Sequence, residues 1–326
     1  MLDRTHAPIE DLYKEIQQTS EVVDPELIQA LLHRFKVMMV QTALYCRFSK
    51  NLPRDFCKMI EKQGAIPLEM HVDHSKGIPD FIISNHQGPG EQRLQNGDEE
   101  SGMGILDTIM SLILDPKGTS TVVKNDLVDY RSPDEKFGFN KQTLTRIVRG
   151  RVGRRMKHIV FRRPRLSENS LNEDKRAAMR EFREEAERVW RKSCTIALAG
   201  TPVKIYAEGT RSATGKILPI MPDLCAGVIK HYLLPMIRGS KTPRIDLQIV
   251  DTLQAFPRGL GSSIPAYKRP ITMRREPYEP DPNLMQDIEE WNGHPKRLKR
   301  LGRSLAADIQ AEMENRLRQI IVGTMA

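Results

Sequence analysis

Short apolar segments alternate with longer helical patterns between residues 66 and 276, and this alternation limits the folds open to the chain. Apolar segments of this length, bounded by turn residues, are typical of buried strands. Strands that alternate with helices indicate an α/β fold, in which helices flank a central, mostly parallel sheet. We therefore predict strands at 81–84, 119–124, 158–161, 203–207, 232–237 and 245–249.

Helical patterns dominate both ends of the chain, which suggests three regions. We predict an N-terminal helical region at 1–65, an α/β domain at 66–276 and a basic, amphipathic helical extension at 277–326. Within the α/β domain, a highly charged helix should direct Phe182 and Trp190 toward the core. The predicted helices are 9–18, 25–48, 53–63, 173–198 and 304–322.

Two clusters of polar residues follow predicted strands directly. The sequence SNHQ occupies 84–87, and the sequence EGTRS occupies 208–212. Ligands of open α/β sheets bind outside the carboxyl ends of the strands, so we expect both clusters to face one site. The guanidinium of Arg211 offers a planar fork of donors for a phosphate, and Gly209 lets the backbone approach a ligand closely.

In their order, these clusters resemble the glycerophospholipid acyltransferase family, whose members move a fatty acyl chain from a thioester to a hydroxyl of glycerol-3-phosphate or a lysophospholipid. The family pattern has four blocks: Asn-His-x-x-x-x-Asp, an apolar block ending in Arg, Glu-Gly-Thr-Arg-Ser, and an apolar block ending in Pro. The third block matches in full at 208–212. The other similar segments are Asn85-His86, 159–163 and 232–235, with a Lys-containing segment at 121–127.

The first block departs from the family pattern. The position of the family aspartate holds Glu91, whereas a Leu-Asp pair followed by apolar residues appears later, with its acid at Asp107. We interpret 87–104 as an inserted polar loop, because loop closure costs little more as loops lengthen. Asp107 is then the preferred acidic partner of His86, Glu91 is the alternative and Asp98 is a third candidate.

The resemblance implies a catalytic pair. His86 would be the general base that removes the proton of the acceptor hydroxyl. Asp107, or Glu91, would hold the other ring nitrogen and stabilise the imidazolium. The acceptor hydroxyl is itself the nucleophile, so no acyl-enzyme is required.

The resemblance also implies residues that bind the substrate. Arg163 and Arg211, with Lys124 as a weaker third cation, would bind the acceptor phosphate; Arg162 and Arg165 are alternatives within their block. Glu208 would accept hydrogen bonds from an acceptor hydroxyl or orient Arg211. The remaining members of the predicted site are Gly209, Thr210, Ser212 and Pro235.

Charge indicates the kind of partner. The 326 residues carry a formal net charge of +9, which favours anionic partners. We expect an acyl-thioester donor (acyl-CoA or acyl-carrier protein) and a phosphorylated glycerol or lysophospholipid acceptor. The basic stretch 296–303 precedes the predicted helix at 304–322. Either that helix packs on the α/β domain, or residues 296–303 contact an anionic membrane surface. We expect no nucleic-acid partner, because no aromatic-interleaved or zinc module is present.

Cysteine and histidine spacing suggests neither a zinc site nor any other metal or cofactor. The cysteines Cys46, Cys57, Cys194 and Cys225 are unpaired in spacing and indicate free thiols in a reducing compartment. His71 and His74 are interpreted as loop histidines. The polar first residues do not resemble a secretory leader, so we expect a cytoplasmic protein that is either soluble or peripheral on the inner face of a membrane. The alternative function is a catalytically impaired peripheral lipid-binding protein on the same fold.

Overall fold

The computed structural model of the chain describes most of the predicted α/β region and the C-terminal extension. The described residues are 4, 6–27, 29, 30, 33, 37, 41, 68–87, 119–124, 158–161, 172–209, 212, 215–255 and 267–325. The predicted helix at 53–63 lies outside them. Of the predicted helix at 25–48, the described residues are helical.

A seven-stranded, mostly parallel sheet forms the centre of the fold, which confirms the predicted α/β class. Its spatial order is β1-β7-β6-β2-β5-β3-β4. The pair β6·β7 is antiparallel, and the other neighbouring pairs are parallel. The strands are β1 (Leu68–Val72), β2 (Phe81–Ser84), β3 (Ser120–Lys124), β4 (Ile159–Phe161), β5 (Val203–Tyr206), β6 (Ile245–Asp251) and β7 (Ile271–Tyr278).

Five of the six predicted strands are confirmed, and the prediction for 232–237 is wrong. That apolar run continues a helical stretch that begins at Pro222, and short buried helices and buried strands share the same apolar appearance. Two strands were not predicted. The strand β1 has exposed polar positions, and β7 contains Arg274, Arg275 and Glu276, so neither reads as an apolar run.

Six helices can be bounded in the part of the chain that the structure describes. They are α1 (Ile9–Thr19), α2 (Asn172–Leu198), α3 (Pro222–Val228), α4 (Leu234–Arg238), α5 (Pro282–Glu289) and α6 (Pro295–Met325), with a π-helical turn, Ile229–Leu233, joining α3 to α4. The start of α5 shows how sequence defines such an element. The Asp281 side chain accepts hydrogen bonds from the backbone N–H groups of Asn283 and Leu284, and Pro282 occupies the first turn.

All six helices contribute side chains to one hydrophobic core with the sheet. Alternate residues of β2, Phe81 and Ile83, face this core, as the two-residue period of a strand requires. The predicted C-terminal helix is confirmed and is longer than expected, because α6 includes the basic stretch. Its buried positions are Leu301, Gly302, Leu305, Ala306, Ile309, Met313, Arg316, Leu317, Ile320 and Ile321.

The inward orientation expected for the two aromatic residues of α2 holds for only one of them. Trp190 packs against the core, with its ring centroid 6.2 Å from that of Phe81. Phe182 is 37% exposed, although its ring meets Phe161 edge-on, so the prediction for Phe182 was wrong. Among the helices that the structure describes, none is both long and apolar enough to cross a bilayer.

Candidate active site

Three parallel strands bring the two polar clusters to the same edge of the sheet. Strand β2 lies between β5 and β6 and runs parallel to both. The residues after β2 therefore lie beside those after β5 and β6. The candidate site is built from these three strand ends, as expected for ligand sites of open α/β sheets.

Asn85 extends the pairing of β2 beyond its last residue. Its Nδ2 donates to the carbonyl of Val250 at 2.9 Å, and its Oδ1 accepts from the Val250 N–H at 2.7 Å. The Asn85 N–H also donates to the carbonyl of Gln248 at 3.3 Å. The side chain is buried, and both its nitrogen and its oxygen are hydrogen-bonded, so Asn85 fixes the backbone immediately before His86.

Glu208 connects the two clusters through backbone hydrogen bonds. Its Oε2 accepts from the His86 N–H at 2.8 Å, and its Oε1 accepts from the Leu218 N–H at 2.8 Å. The side chain is only 5% exposed. Hydrogen bonds to a carboxylate are stronger than those between neutral groups, so Glu208 is a positioning residue for the His86 backbone. The predicted contact of Glu208 with the acceptor hydroxyl or with Arg211 stays a prediction.

Both backbone polar groups of His86 bind the second cluster. The carbonyl of His86 accepts from the Ser212 N–H at 2.7 Å, in addition to the bond from its N–H to Glu208. Its half-buried ring stacks on Tyr206, with centroids 4.3 Å apart and planes inclined by 28°. On the same strand as Tyr206, the Lys204 Nζ lies 4.7 Å from the Tyr206 ring centroid. Hydrogen bonds to the His86 backbone and stacking of its ring on Tyr206 therefore both fix the position of the imidazole.

Gly209 and Ser212 make the loop after β5 compact. Gly209 has a φ of +69°, and a Cβ there would lie 2.9 Å from the Met221 Sδ, so glycine suits both the backbone and the space. The Ser212 side chain is buried, and its hydroxyl has no hydrogen-bond partner among the residues that the structure describes. Buried hydroxyls are normally paired, so Ser212 remains a candidate for contact with a bound group.

The structure places two further predicted site residues. Lys124 ends β3 at the same edge of the sheet as His86, with β5 between β3 and β2, and its backbone pairs with Phe161. Its role stays a prediction. Pro235 is exposed on α4 rather than at the end of a strand. Its neighbour Tyr232 bonds to Asp80, which precedes β2, so this helical stretch reaches the opposite edge of the sheet. Pro235 is therefore not brought to His86.

Several predicted residues lie outside the described part of the chain, so their roles stay predictions. They are the acidic candidates Asp107, Glu91 and Asp98, and the substrate-binding candidates Arg163, Thr210 and Arg211. His71 lies on β1 and not in a loop, whereas His74 follows that strand. The described residues contain no group of three potential metal ligands.

Three buried residues next to His86 were not found by the sequence analysis. Gln87, Tyr13 and Asp251 are all at most 1% exposed and are joined by hydrogen bonds. Gln87 was visible within the SNHQ cluster. No local sequence pattern indicated Tyr13 or Asp251, because their contact joins positions 238 residues apart.

One cleft among the described residues lies away from His86. It has a volume of about 500 Å³ and lies at the opposite edge of the sheet, where Asp73 follows β1 and Tyr278 ends β7. Its position reflects the reversed direction of β7 relative to β6. The candidate active site is therefore defined by its chemistry and not by the size of a cavity.

No protein-family model matches this chain, and the comparison with curated proteins finds no match. The resemblance to glycerophospholipid acyltransferases thus depends on the residues themselves. The described geometry adds that Asn85-His86 and Glu208-Gly209 lie side by side. An imidazole held in this way can act as a general base toward a hydroxyl placed next to it.

Proposed function

We propose that this protein is an O-acyltransferase that moves a fatty acyl group from a thioester to a hydroxyl of glycerol-3-phosphate or a lysophospholipid. The observation that supports this proposal most is the pair of hydrogen bonds at His86. Its N–H binds Glu208 at 2.8 Å and its carbonyl binds the Ser212 N–H at 2.7 Å. The Asn-His and Glu-Gly-Thr-Arg-Ser motifs therefore form one structural unit.

The proposed reaction is a direct transfer. Neutral His86 removes the proton of the acceptor hydroxyl, whose oxygen attacks the thioester carbonyl. The tetrahedral intermediate collapses, the carbon–sulfur bond breaks, and the imidazolium returns the proton to the leaving thiolate. The products are an ester and a free thiol, and no redox partner is needed. Asp107, or Glu91 in its place, orients the imidazole.

The proposed acceptor carries a phosphate, for which the chain supplies cations. Arg163 and Arg211 are the proposed ligands, with Lys124 as a third, because guanidinium forks match phosphate oxygens. Glu208 keeps its carboxylate oriented toward the N–H groups of His86 and Leu218. In the proposed enzyme, Glu208 therefore positions the base, while the following residues of the loop bind substrate.

The proposed partners include an anionic membrane surface, with the protein cytoplasmic and peripheral. At the start of α6, the exposed cations Lys296, Lys299, Arg300 and Arg303 recur at helical spacing and share one side of the helix. Arg297 is instead paired with Asp287 and Glu290. Each exposed cation near an anionic bilayer contributes about 1 kcal/mol to binding. Acyl-carrier protein, which is acidic, is the alternative partner of the same cations.

The test is thiol release from palmitoyl-CoA by the purified protein, with glycerol-3-phosphate and lysophosphatidate offered separately. We expect release that depends on one acceptor. In His86→Ala, release should fall about a thousandfold or more, because the variant loses both the general base and its contacts with the substrate. The matched control is His231→Ala. His231 is also half-buried, but it contacts Glu187 on α2 and should leave transfer unchanged.

The donors and outcomes separate the alternatives. Release only from acyl-carrier protein would identify that carrier as the donor. Equal transfer by His86→Ala and the parent protein would contradict the proposed base. No release from either donor, combined with retained binding to anionic vesicles, would favour the catalytically impaired lipid-binding protein.

A further inference from the structure

Gln87, which follows His86 directly, has its side-chain amide fixed by three elements. Its Nε2 donates to the Tyr13 hydroxyl at 3.3 Å and to the carbonyl of Gly215 at 3.0 Å. Its Oε1 accepts from the Thr252 N–H at 3.3 Å. Both the nitrogen and the oxygen of the amide are thus hydrogen-bonded, which restricts the backbone at His86 and Gln87.

Asp251 accepts the hydrogen bond that the Tyr13 hydroxyl donates. It is fully buried at the end of β6 and accepts from the Tyr13 hydroxyl at 2.8 Å and from the Leu253 N–H at 3.2 Å. The Gln254 side-chain amide also donates to it. Because the Tyr13 hydroxyl donates to Asp251, its lone pair is directed to Gln87, and both of its hydrogen-bonding functions are used.

The ring of Tyr13 also shapes the loop that carries Ser212. Gly215 has a φ of +83°, and a Cβ there would lie 2.3 Å from the Tyr13 Cε2 and 2.7 Å from the Leu253 Cδ1. Gly215 therefore packs directly on the ring. A salt bridge of 2.6 Å between Lys216 and Glu10 lies beside this contact. Through Tyr13 and Glu10, helix α1 thus contacts residues next to the candidate site.

We propose that Tyr13, Gln87 and Asp251, here called the Tyr13 network, are positioning residues that hold the His86 backbone in register with the loop after β5. Only the kinetic part of this inference rests on the proposed acyl transfer. The network fixes the residue after His86, whereas Glu208 and Ser212 fix His86 itself. Pre-organisation of this kind acts on the rate of reaction and not on substrate affinity.

The structure offers a matched control at the other end of β2. The Tyr232 hydroxyl donates to the buried Asp80 at 2.7 Å and accepts from the Arg244 N–H at 2.7 Å. Tyr13→Phe and Tyr232→Phe therefore each delete one hydroxyl that donates to a buried carboxylate and accepts from an N–H group. Only the first of these hydroxyls contacts the residue next to His86.

The experiment combines kinetics with amide hydrogen exchange, measured by mass spectrometry on the peptide that covers residues 84–87. In Tyr13→Phe we expect kcat to fall about tenfold with both KM values within about twofold, and exchange of that peptide to rise about tenfold. Gln87→Met removes the same hydrogen bond together with those to Gly215 and Thr252, so its effects should have the same direction and be at least as large. The effects of the double variant should be smaller than the sum of the two single effects, because both changes delete the bond between Tyr13 and Gln87. Tyr232→Phe should change neither quantity.

Exchange also separates this inference from the proposed function. If the parent protein transfers no acyl group, the proposed function fails, and the exchange of residues 84–87 alone decides the inference. Unchanged exchange in both Tyr13→Phe and Gln87→Met would overturn it. An equal loss of kcat in Tyr232→Phe would overturn it as well, since the effect would then follow from general destabilisation. If Tyr13→Phe does not fold, Gln87→Met provides the same test.

Discussion

The two ends of β2 have similar hydrogen bonds between a tyrosine and an aspartate, but the charges around the two aspartates differ. At each end, a buried tyrosine hydroxyl donates to a buried aspartate: Tyr232 to Asp80 before the strand, and Tyr13 to Asp251 beyond it. At the amino end, the Arg244 guanidinium also binds Asp80 at 2.7 Å. At the carboxyl end, the described donors to Asp251 are all neutral.

This difference separates a structural end of the sheet from the end that carries the proposed active site. A cation beside Asp80 compensates the carboxylate within the fold, and every group of that cluster is satisfied locally. At the other end, the hydrogen bonds of the network hold the side chain of Gln87, which is the residue next to His86. We therefore expect changes at the amino end to affect stability, and changes at the carboxyl end to affect catalysis as well.

The largest contrast should come from Glu208→Gln. The glutamine oxygen can accept from one N–H group, but its amide nitrogen would face the other, so either His86 or Leu218 loses its acceptor. A lost hydrogen bond to a buried N–H costs about 1–3 kcal/mol. We expect kcat to fall roughly 10- to 100-fold with a smaller change in KM, measured by the thiol-release assay. A change confined to KM would indicate that Glu208 binds substrate instead.

The opposite pattern is expected for Asp80→Asn at the amino end. This change weakens the bond to Arg244 and leaves Tyr232 with an altered partner, so the free energy of unfolding should fall by about 2 kcal/mol. Transfer per folded molecule should stay within twofold of the parent. Urea denaturation and the thiol-release assay on the same preparation check both statements. A hundredfold loss of kcat here would remove the distinction between the two ends.

The sequence predicted the fold better than it predicted the connections within the site. Strands inside the sheet are buried on both faces and read as apolar runs, so β2, β5 and β6 were found. Strand β7 was missed because Arg275 is buried in it, 3.5 Å from Asp246, and sequence alone does not show such pairing. The run at 232–237 was misassigned because an apolar segment of that length fits either a strand or a helix.

The same limit applies to the candidate site. Two clusters that each follow a parallel strand were predicted to face one another, because strand direction alone places them at one edge. The roles within them depend on side-chain direction. Glu208 points to the N–H groups of His86 and Leu218, and Tyr13 reaches Asp251 across 238 positions of sequence. Neither contact follows from periodicity or spacing.

The smallest effect predicted from the comparison concerns the pH dependence of stability at the carboxyl end. Burial raises the pKa of Asp251 above its ordinary value, although hydrogen bonds from Gln254, Tyr13 and Leu253 oppose the shift. The unfolded chain should show an aspartate pKa of about 3.9. A pKa that is raised on folding stabilises the folded protein below the unfolded value, and this contribution is lost as the pH rises through the folded pKa.

Asp251→Asn removes that titration and thereby sharpens the contrast with Asp80. The difference in unfolding free energy between parent and variant should shift in favour of the variant as the pH rises from about 4. Its slope should not exceed about 1.4 kcal/mol per pH unit, the limit for one proton. Any lost hydrogen bond would add an offset that does not vary with pH, so the slope carries the test. Urea denaturation at several pH values measures it, and a difference that stays constant with pH would show that Asp251 does not titrate with a raised pKa.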